Sequence, residues 1–514
     1  MRALQSPVVA VLLSLLVAGV AWAGGSPAED VPIGSWVYDA VFELSTRGHF
    51  ADLLLHTRPF TRGELAAAVE GIGAEDRQLS VGEAILLARL RSEFAEELRN
   101  QDPIDQEKTH SLRLGGGPNA RIDQIRHGAA RNRVGLDLTG SFGAGEVLAI
   151  RTRVRFDSDA RHDSQFHGEY WKENFTAWMD QAVITVQYRE FRGAFGREFW
   201  RWGRSPVDAM LISDQSPPFD GLRLAYRART WSFSFHATML DSMSDELTGT
   251  TNRYLVGHRL DWKPRKNIEI AISEVVLFGG ANRPWALNYL NPFVPYYWEQ
   301  LNNDTNDNPL WNVEWSWRFP NHLEVYGEWL IDDFQIDFTS EPQQIGILLG
   351  AVWTGGPDGR AFINAEYERI NTFVYGQSRP HNRYFHFRDL SGNPIGIGSN
   401  LGTDADRIVV RPRWHCTAKL DLTGHCEYVR RGGNRMDSPQ AGAVPKHIPF
   451  PSGVVERRTT AGLGAHAQLG GHAILDMLMG YERVVNVGNA DSVSRDGILF
   501  QVRLAGSVWK TMGI

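Results

Sequence analysis

The feature that most restricts this chain is a change of period near residue 111. Before it, apolar residues recur at helical spacing; after it, side chains alternate one by one, and one of the two faces so formed is charged. Leu148, Ile150, Thr152, Val154 and Phe156 alternate with Ala149, Arg151, Arg153 and Arg155. Trp311, Val313, Trp315 and Trp317 alternate with Asn312, Glu314 and Ser316, and Leu323, Val325, Gly327, Trp329 and Ile331 with Glu324, Tyr326 and Glu328. Near the end, Phe500, Val502, Leu504 and Val508 stand opposite Gln501, Arg503, Ala505 and Ser507. A period of two is that of a strand with two unlike faces. A sandwich needs an apolar inner face, so arginines and glutamates inside many strands predict a closed all-β transmembrane barrel with a wet lumen.

The barrel region, residues 109–514, accommodates an even count of roughly 16 to 18 strands at about 20 to 25 residues per strand and connection. Short turns belong on the periplasmic side of such a barrel. The longer polar stretches Asp157–Asn174, Asp241–Asn252, Asn371–Asp406 and Gly432–Glu456 are expected to be extracellular loops or inward-folded plugs. Composition agrees: 51 Gly, 17 Trp, 14 Tyr and 25 Phe accompany a mean hydropathy of only −0.31. Alternation keeps the average unremarkable while aromatics gather in interfacial girdles. A large soluble β protein shares that composition, so the periodicity carries the weight. A net charge of −7 lacks the basic excess of a nucleic-acid binder. Cys416 and Cys426 make no disulfide framework. They face each other if their hairpin turns near Leu420 to Leu422, and stand far apart if it turns near Thr417 to Lys419.

Residues 1–23 have the pattern of a cleaved secretory leader: Arg2, the apolar run Val8 to Val20, and Ala21-Trp22-Ala23 before Gly24. No cysteine adjoins the cleavage site, which removes a lipoprotein start, and no later apolar run is long enough for a spanning helix. Residues 24–108 predict a helical bundle or plug of about three helices on the periplasmic side. Ser35 can cap a helix whose Val37, Ala40, Val41 and Leu44 share a face, with Gly48 in the left-handed position after it. Thr61 with Glu64 and Ser80 with Glu83 each fit a capping box.

The run Gly196-Arg197-Glu198-Phe199-Trp200-Arg201-Trp202-Gly203, followed by Leu211-Ile212-Ser213-Asp214-Gln215-Ser216-Pro217-Pro218-Phe219-Asp220-Gly221-Leu222, resembles the capsule-assembly Wzi family of outer-membrane proteins. Leu290-Asn291-Pro292-Phe293, the run from Tyr326 to Phe334, Pro394-Ile395-Gly396 and the run from Leu401 to Asp406 extend the likeness across the barrel region. The resemblance implies 18 strands with a helical periplasmic bundle, and a lectin-like, non-catalytic role in holding capsular polysaccharide at the cell surface. Barrels often finish on an aromatic residue, whereas this chain closes on Met512-Gly513-Ile514, with Phe500 and Trp509 kept in the last strand. Within the helical unit, Trp36, Tyr38, Asp39, Ala40, Leu44 and Gly48, then Pro59, Phe60, Thr61, Arg62 and Glu64, are similar to a single surface-layer homology repeat. Such repeats bind cell-wall polymers, which would make peptidoglycan a partner, but they work in sets, so a lone copy is expected to serve as a structural cap.

Candidate polysaccharide-binding or lumen residues are Arg151, Arg153, Arg155, Arg197, Arg201, Trp202, Arg204, Asp220, Glu328 and Arg411. Arg223, Arg227 and Arg229, and Arg407 with Arg413, repeat the theme. Guanidinium groups hold carboxylates and phosphates in forked hydrogen bonds, as acidic capsule sugars would offer. The competing reading is that they pair with Glu314, Glu324, Glu328 and Glu366 to stiffen the interior. Trp285, Tyr289, Tyr296, Tyr297 and Trp298 suit either sugar stacking or the membrane girdle. Asn302 to Asn308 begins like a calcium loop, but Pro309 and Trp315 stand where an EF-hand needs glycine and glutamate. Ser213-Asp214 lacks a nucleophile elbow, and His415-Cys416 with His425-Cys426 lack metal-site spacing. No catalytic residue, metal or cofactor is therefore expected. Partners are capsular or other acidic polysaccharide and outer-membrane lipid, and the functional alternative is a channel or porin for small solutes.

Overall fold

The computed structural model describes residues 26–513 apart from 75–77, 100–109, 126–130, 161–162, 164, 167, 169, 173–174, 246–248, 304, 334–341, 390–391, 438–447 and 470–472. The predicted leader lies outside the described residues. Eighteen antiparallel staves close on themselves. The first, His110–Ile125, pairs with Arg131–Ala144 on one side. On the other it pairs with a last stave in two consecutive segments, Ser494–Gly506 and Val508–Gly513. Closure pairs every stave on both sides, the condition for backbone to cross lipid as strands. Successive side chains point in and out, as the period of two requires. Ile150, Leu260 and Trp317 face outward and exposed, while Arg151, Arg259 and Ser316 are buried on the inner wall.

One end of the barrel carries tight turns, among them Ala144 to Leu148, Tyr188 to Phe191, Arg227 to Trp231, Phe319 to Leu323 and Thr417 to Leu420. Tyr188, Phe191, Trp231, Trp262 and Trp317 stand exposed near that end, as an interfacial girdle does. The other end carries the long connections, with one exception to expectation. The described residues of Asp241–Asn252 are strand and not loop: Trp231–Asp245 and Gly249–Arg265 stay paired, past a shift of register between Thr251 and Arg253, out to Asp245 opposite Gly249. Polar side chains do not stop a ladder whose backbone stays paired. The cysteine hairpin turns early, Thr417 opposing Leu420, so Cys426 faces Val410 and both thiols are free.

Among its described residues the helical unit has four helices: α1 (Trp36–Thr46), α2 (Arg62–Ala74), α3 (Val81–Glu93) and α4 (Ala95–Arg99). Its caps are those the residues dictate. Ser35 Oγ accepts from the Val37 backbone, Thr61 and Glu64 bond reciprocally, and Ser80 with Glu83 completes a capping box. Val37, Val41, Leu44, Leu65, Val69 and Leu90 form its own small core. It docks on the tight-turn end, where Arg47 donates to the Gly359 carbonyl (2.7 Å) and Arg89 grips Asp421 with two bonds (2.7 and 2.9 Å).

The expected wet lumen is corrected by what fills it. Residues 199–218, most of the Wzi-like motif, fold inward instead of rising from the rim, and residues 371–389 and 392–404 fold down over them. Trp200, Met210, Leu211, Ile212, Tyr375, Tyr384 and Ile397 pack against inward-facing Leu255, Val275, Leu310, Leu330 and Leu348. The hydroxyl of Tyr384 donates to the Leu211 carbonyl (2.8 Å), and the Ser213 amide to that of Ile397 (2.9 Å). Alternation identifies the inner face but not what that face meets. Here much of it meets protein.

Candidate functional site

Most of the inward arginines are committed to partners on the wall, the helical unit or the inward segments. Arg151 joins Glu29 of the helical unit and Gln181 (2.9 Å to the latter). Arg153 forks onto Asp180 with two bonds of 2.7 Å, and Arg155 lies 3.4–3.6 Å from Asp137, Asp163 and Asp180. Arg201 joins Asp214 and donates to the carbonyls of Ser205 and Asp208 (2.6 and 2.7 Å). Arg204 forks onto Glu324 (2.6 and 3.0 Å), reaches Ser45 of α1 (2.8 Å) and lies over the Phe42 ring. Glu328 accepts from the Met210 amide (3.0 Å) and from Asn312. Trp202 is buried edge-on to His236 and opposes Thr57 in a two-residue ladder, the seam between helical unit and inward motif.

Two candidates sit elsewhere. Arg197 and Asp220 are paired (2.8 Å) on the outer wall, partly exposed, beyond the exposed Phe191 and Phe195 of the same face. They are not lumen residues: Arg197 alternates with buried Glu198, and Asp220 with buried Phe219. Arg411 faces inward, and its Nε is buried without a hydrogen-bond partner among the described residues. It lines a cavity of about 300 Å3 with Asp39, Phe42, Arg413 and His425. A second cavity of about 330 Å3 lies between Asp30, Arg153, Gln165, Gln181, Glu198 and Asp214. Carboxylate, amide and guanidinium are also the groups that bind sugar hydroxyls.

The inner wall is not uniform. Arg259 and Glu314, paired at 2.5 and 2.9 Å, are fully enclosed. On strands Leu420–Arg431 and Glu456–Leu469, His425 keeps 32% and Arg458 34% of the side chain exposed, so both side chains remain reachable from water.

Charge also holds the helical unit in place. Burial pushes Glu29 up, but nearby Arg151, Arg113 and Arg62 outweigh it and hold the carboxyl below its ordinary range. Burial likewise raises Glu83, yet hydrogen bonds from His49 and Ser80 and the charge of Arg47 bring it to about 2. The polar residues of the surface-layer-like stretch are already engaged. Asp39 pairs with Arg413 (2.6 Å), Arg62 with Glu97 and Glu93 (2.5 and 3.0 Å), and Glu64 with Arg227 (2.6 Å).

Several organising residues carry no sequence signal. Asp208 gathers Ser213, Ser399, the Asn400 amide and Arg407 at 3.0–3.1 Å from three separate segments. Arg253 donates to the carbonyls of His381, Arg383, Phe385 and His386 and so holds the inward loop by its backbone. Backbone carbonyls are invisible to residue patterns. Only the Arg253 position, inward by alternation, was open to reading.

A family model for the capsule assembly protein Wzi matches residues 125–497. The chain belongs to the Wzi capsule-assembly family. Among solved structures it is similar to Escherichia coli Wzi, described as an outer-membrane protein involved in group 1 capsule assembly and a carbohydrate-binding β-barrel. That likeness has 17% identity and a TM-score of 0.60, covering 95% of this chain and 99% of that one. Pseudomonas aeruginosa OprD is matched at 10% identity and TM-score 0.44, over 78% of this chain and 95% of that one. Acinetobacter baumannii OccAB1 is matched at 9% and 0.44, over 79% and 99%. No curated protein matches. The chain is thus a Wzi-family outer-membrane β-barrel, with eighteen staves as the family resemblance implied.

Proposed function

We propose that this protein binds capsular or related acidic surface polysaccharide and keeps it attached to the cell, acting as a lectin-like anchor without catalysis. The family match over residues 125–497 carries this reading. The filled bore supports it. A solute channel needs a continuous aqueous path, and Trp200, Met210, Leu211 and Tyr384 occupy the barrel axis as a packed core. The enclosed arginines are structural in this reading. Sugar carboxylates instead meet the half-open wall, where Arg411, Arg431 and Arg458 are only partly buried and present forked donors. The helical unit acts as a periplasmic cap and not a peptidoglycan tether, since its Asp39, Arg62 and Glu64 are committed to ion pairs.

The test compares surface-bound with shed polysaccharide in cells lacking and cells carrying the protein. Release into the medium at unchanged total synthesis is the expected result. An unchanged bound fraction, together with conductance in planar bilayers, would replace this reading with the channel.

A further inference from the structure

Residues 283–302, in the connection between Ala281 and Asn308, do not rise from the rim like an ordinary long loop. They fold back over the outside of the barrel as a strap. Beneath it, Phe235, Ala237, Val256, Val276 and Phe278, all outward by alternation, are buried against Tyr289 and Tyr296 of the strap. Phe235 registers with Leu224 and Ala237 with Leu222, and Leu224 is exposed on the uncovered wall. The covered residues therefore stand at the depth of the lipid-facing band. The tip of the strap, Phe293, stacks on Phe233 at 5.4 Å, close to Trp231 and its partner Trp262 of the aromatic girdle.

Irregular backbone at membrane depth is tolerated only when its polar groups are satisfied without water. Much of the strap meets that condition. The amides of Tyr289, Leu290, Asn291, Val294 and Glu299 donate to carbonyls within it, and that of Phe293 to the Asn291 side chain. Pro284, Pro292 and Pro295 have no amide hydrogen to satisfy. The amides of Tyr296 and Tyr297 donate to Glu274 (2.9 and 2.8 Å), an outward-facing carboxylate of the wall. Glu274 also accepts from Trp311 Nε1 (2.7 Å) and lies 3.2 Å from His258, so the strap encloses a charge that would otherwise face lipid. The outer side of the strap is mostly apolar: Leu287 is 80% exposed, Phe293 78% and Leu301 61%, with Asn291 and Asn302 as its exposed polar residues.

We propose that residues 283–302 are immersed in the acyl chains of the outer membrane, continuing across the strap the apolar exterior of the strands it covers. Continuity with the girdle at Phe233 and the shared depth with exposed Leu224 select lipid over a second protein as the occupant. The test places a nitroxide at Leu287→Cys or Phe293→Cys in a Cys416→Ser/Cys426→Ser background, in proteoliposomes of bacterial phospholipid, with Leu224→Cys as wall reference and Thr250→Cys as loop reference. Collisions with oxygen are expected to exceed those with a nickel chelate several-fold, as at residue 224. Nickel accessibility equal to that at residue 250 overturns the proposal in favour of an aqueous loop. Protection from both probes with spin coupling between copies overturns it in favour of a protein interface. In otherwise native protein, Trp298→Phe is expected to reduce the tryptophan fluorescence quenched by brominated phospholipid, and an unchanged quenched fraction counts against immersion.

Discussion

The inner wall of this barrel is made twice, in two ways. From the strand Trp231–Asp245 to the strand Ala361–Ile370 it meets the inward segments and becomes a dry core, with Leu255, Val275, Leu330 and Leu348 packed on Met210, Leu211 and Ile212. Its charges include enclosed pairs such as Arg259 with Glu314 and the carbonyl-bound Arg253. Across the strands Leu420–Arg431, Glu456–Leu469 and Ala473–Val485 the same alternation leaves many inward side chains half-buried, and Arg458 lies 3.2 Å from Glu456 within reach of water. The same residue types thus serve opposite ends. An enclosed ion pair is tolerated because each charge has been taken from water together with its partner, whereas a half-wetted pair contributes little stability and stays available to a ligand.

The largest expected effect follows from breaking an enclosed pair. Arg259→Met leaves Glu314 and Asp261 without their cation and should destabilise the barrel by about 3–5 kcal/mol. The check is the temperature at which its heat-modified mobility changes on detergent gels. Next comes the dry core. Leu330→Ala, at a fully buried site, should cost about 2–5 kcal/mol by the same assay, and Leu478→Ala on the half-open wall clearly less. Equal losses at residues 330 and 478 would erase the distinction between the two walls.

A smaller effect is expected at the cap. Ser80→Ala removes both the helix cap and a hydrogen bond to Glu83, for about 1 kcal/mol. Glu83 is depressed from 4.5 to about 2 in the folded unit. A carboxyl depressed on folding contributes its full stabilisation above its unfolded value and loses it as pH falls towards the folded one. Protection of the α3 amides in hydrogen exchange should therefore decline between pH 4.5 and about 2, and the Glu83→Gln protein should lack that decline. The smallest change in stability, about 0–1 kcal/mol, is expected for Arg458→Met. In the triple variant Arg411→Met/Arg431→Met/Arg458→Met the bound fraction of polysaccharide should nonetheless fall. Retention that survives this substitution would move the binding surface away from the half-open wall while leaving the family role intact.

The sequence by itself determined the strand period, the inner and outer faces, and the helix caps, because these depend on neighbours one to four residues away. Ser35, Thr61 and Ser80 cap helices wherever the chain goes, and Arg151 cannot share a face with Ile150 in a strand. The family was legible for a related reason: its motif is a contiguous run. Two things only the tertiary structure decided. One is what each face meets: the Wzi-like run folds into the bore and makes a core of a wall read as wet, and the strap buries outward Phe235 and Phe278. The other is which charges find each other. Arg151 and Glu29 are 122 residues apart, Arg204 and Glu324 are 120 apart, and Asp208 is shared by Ser399 and Arg407. Nothing in the local pattern at either end of such a pair specifies its partner, because barrel closure and loop folding bring the two together, and these depend on the whole chain.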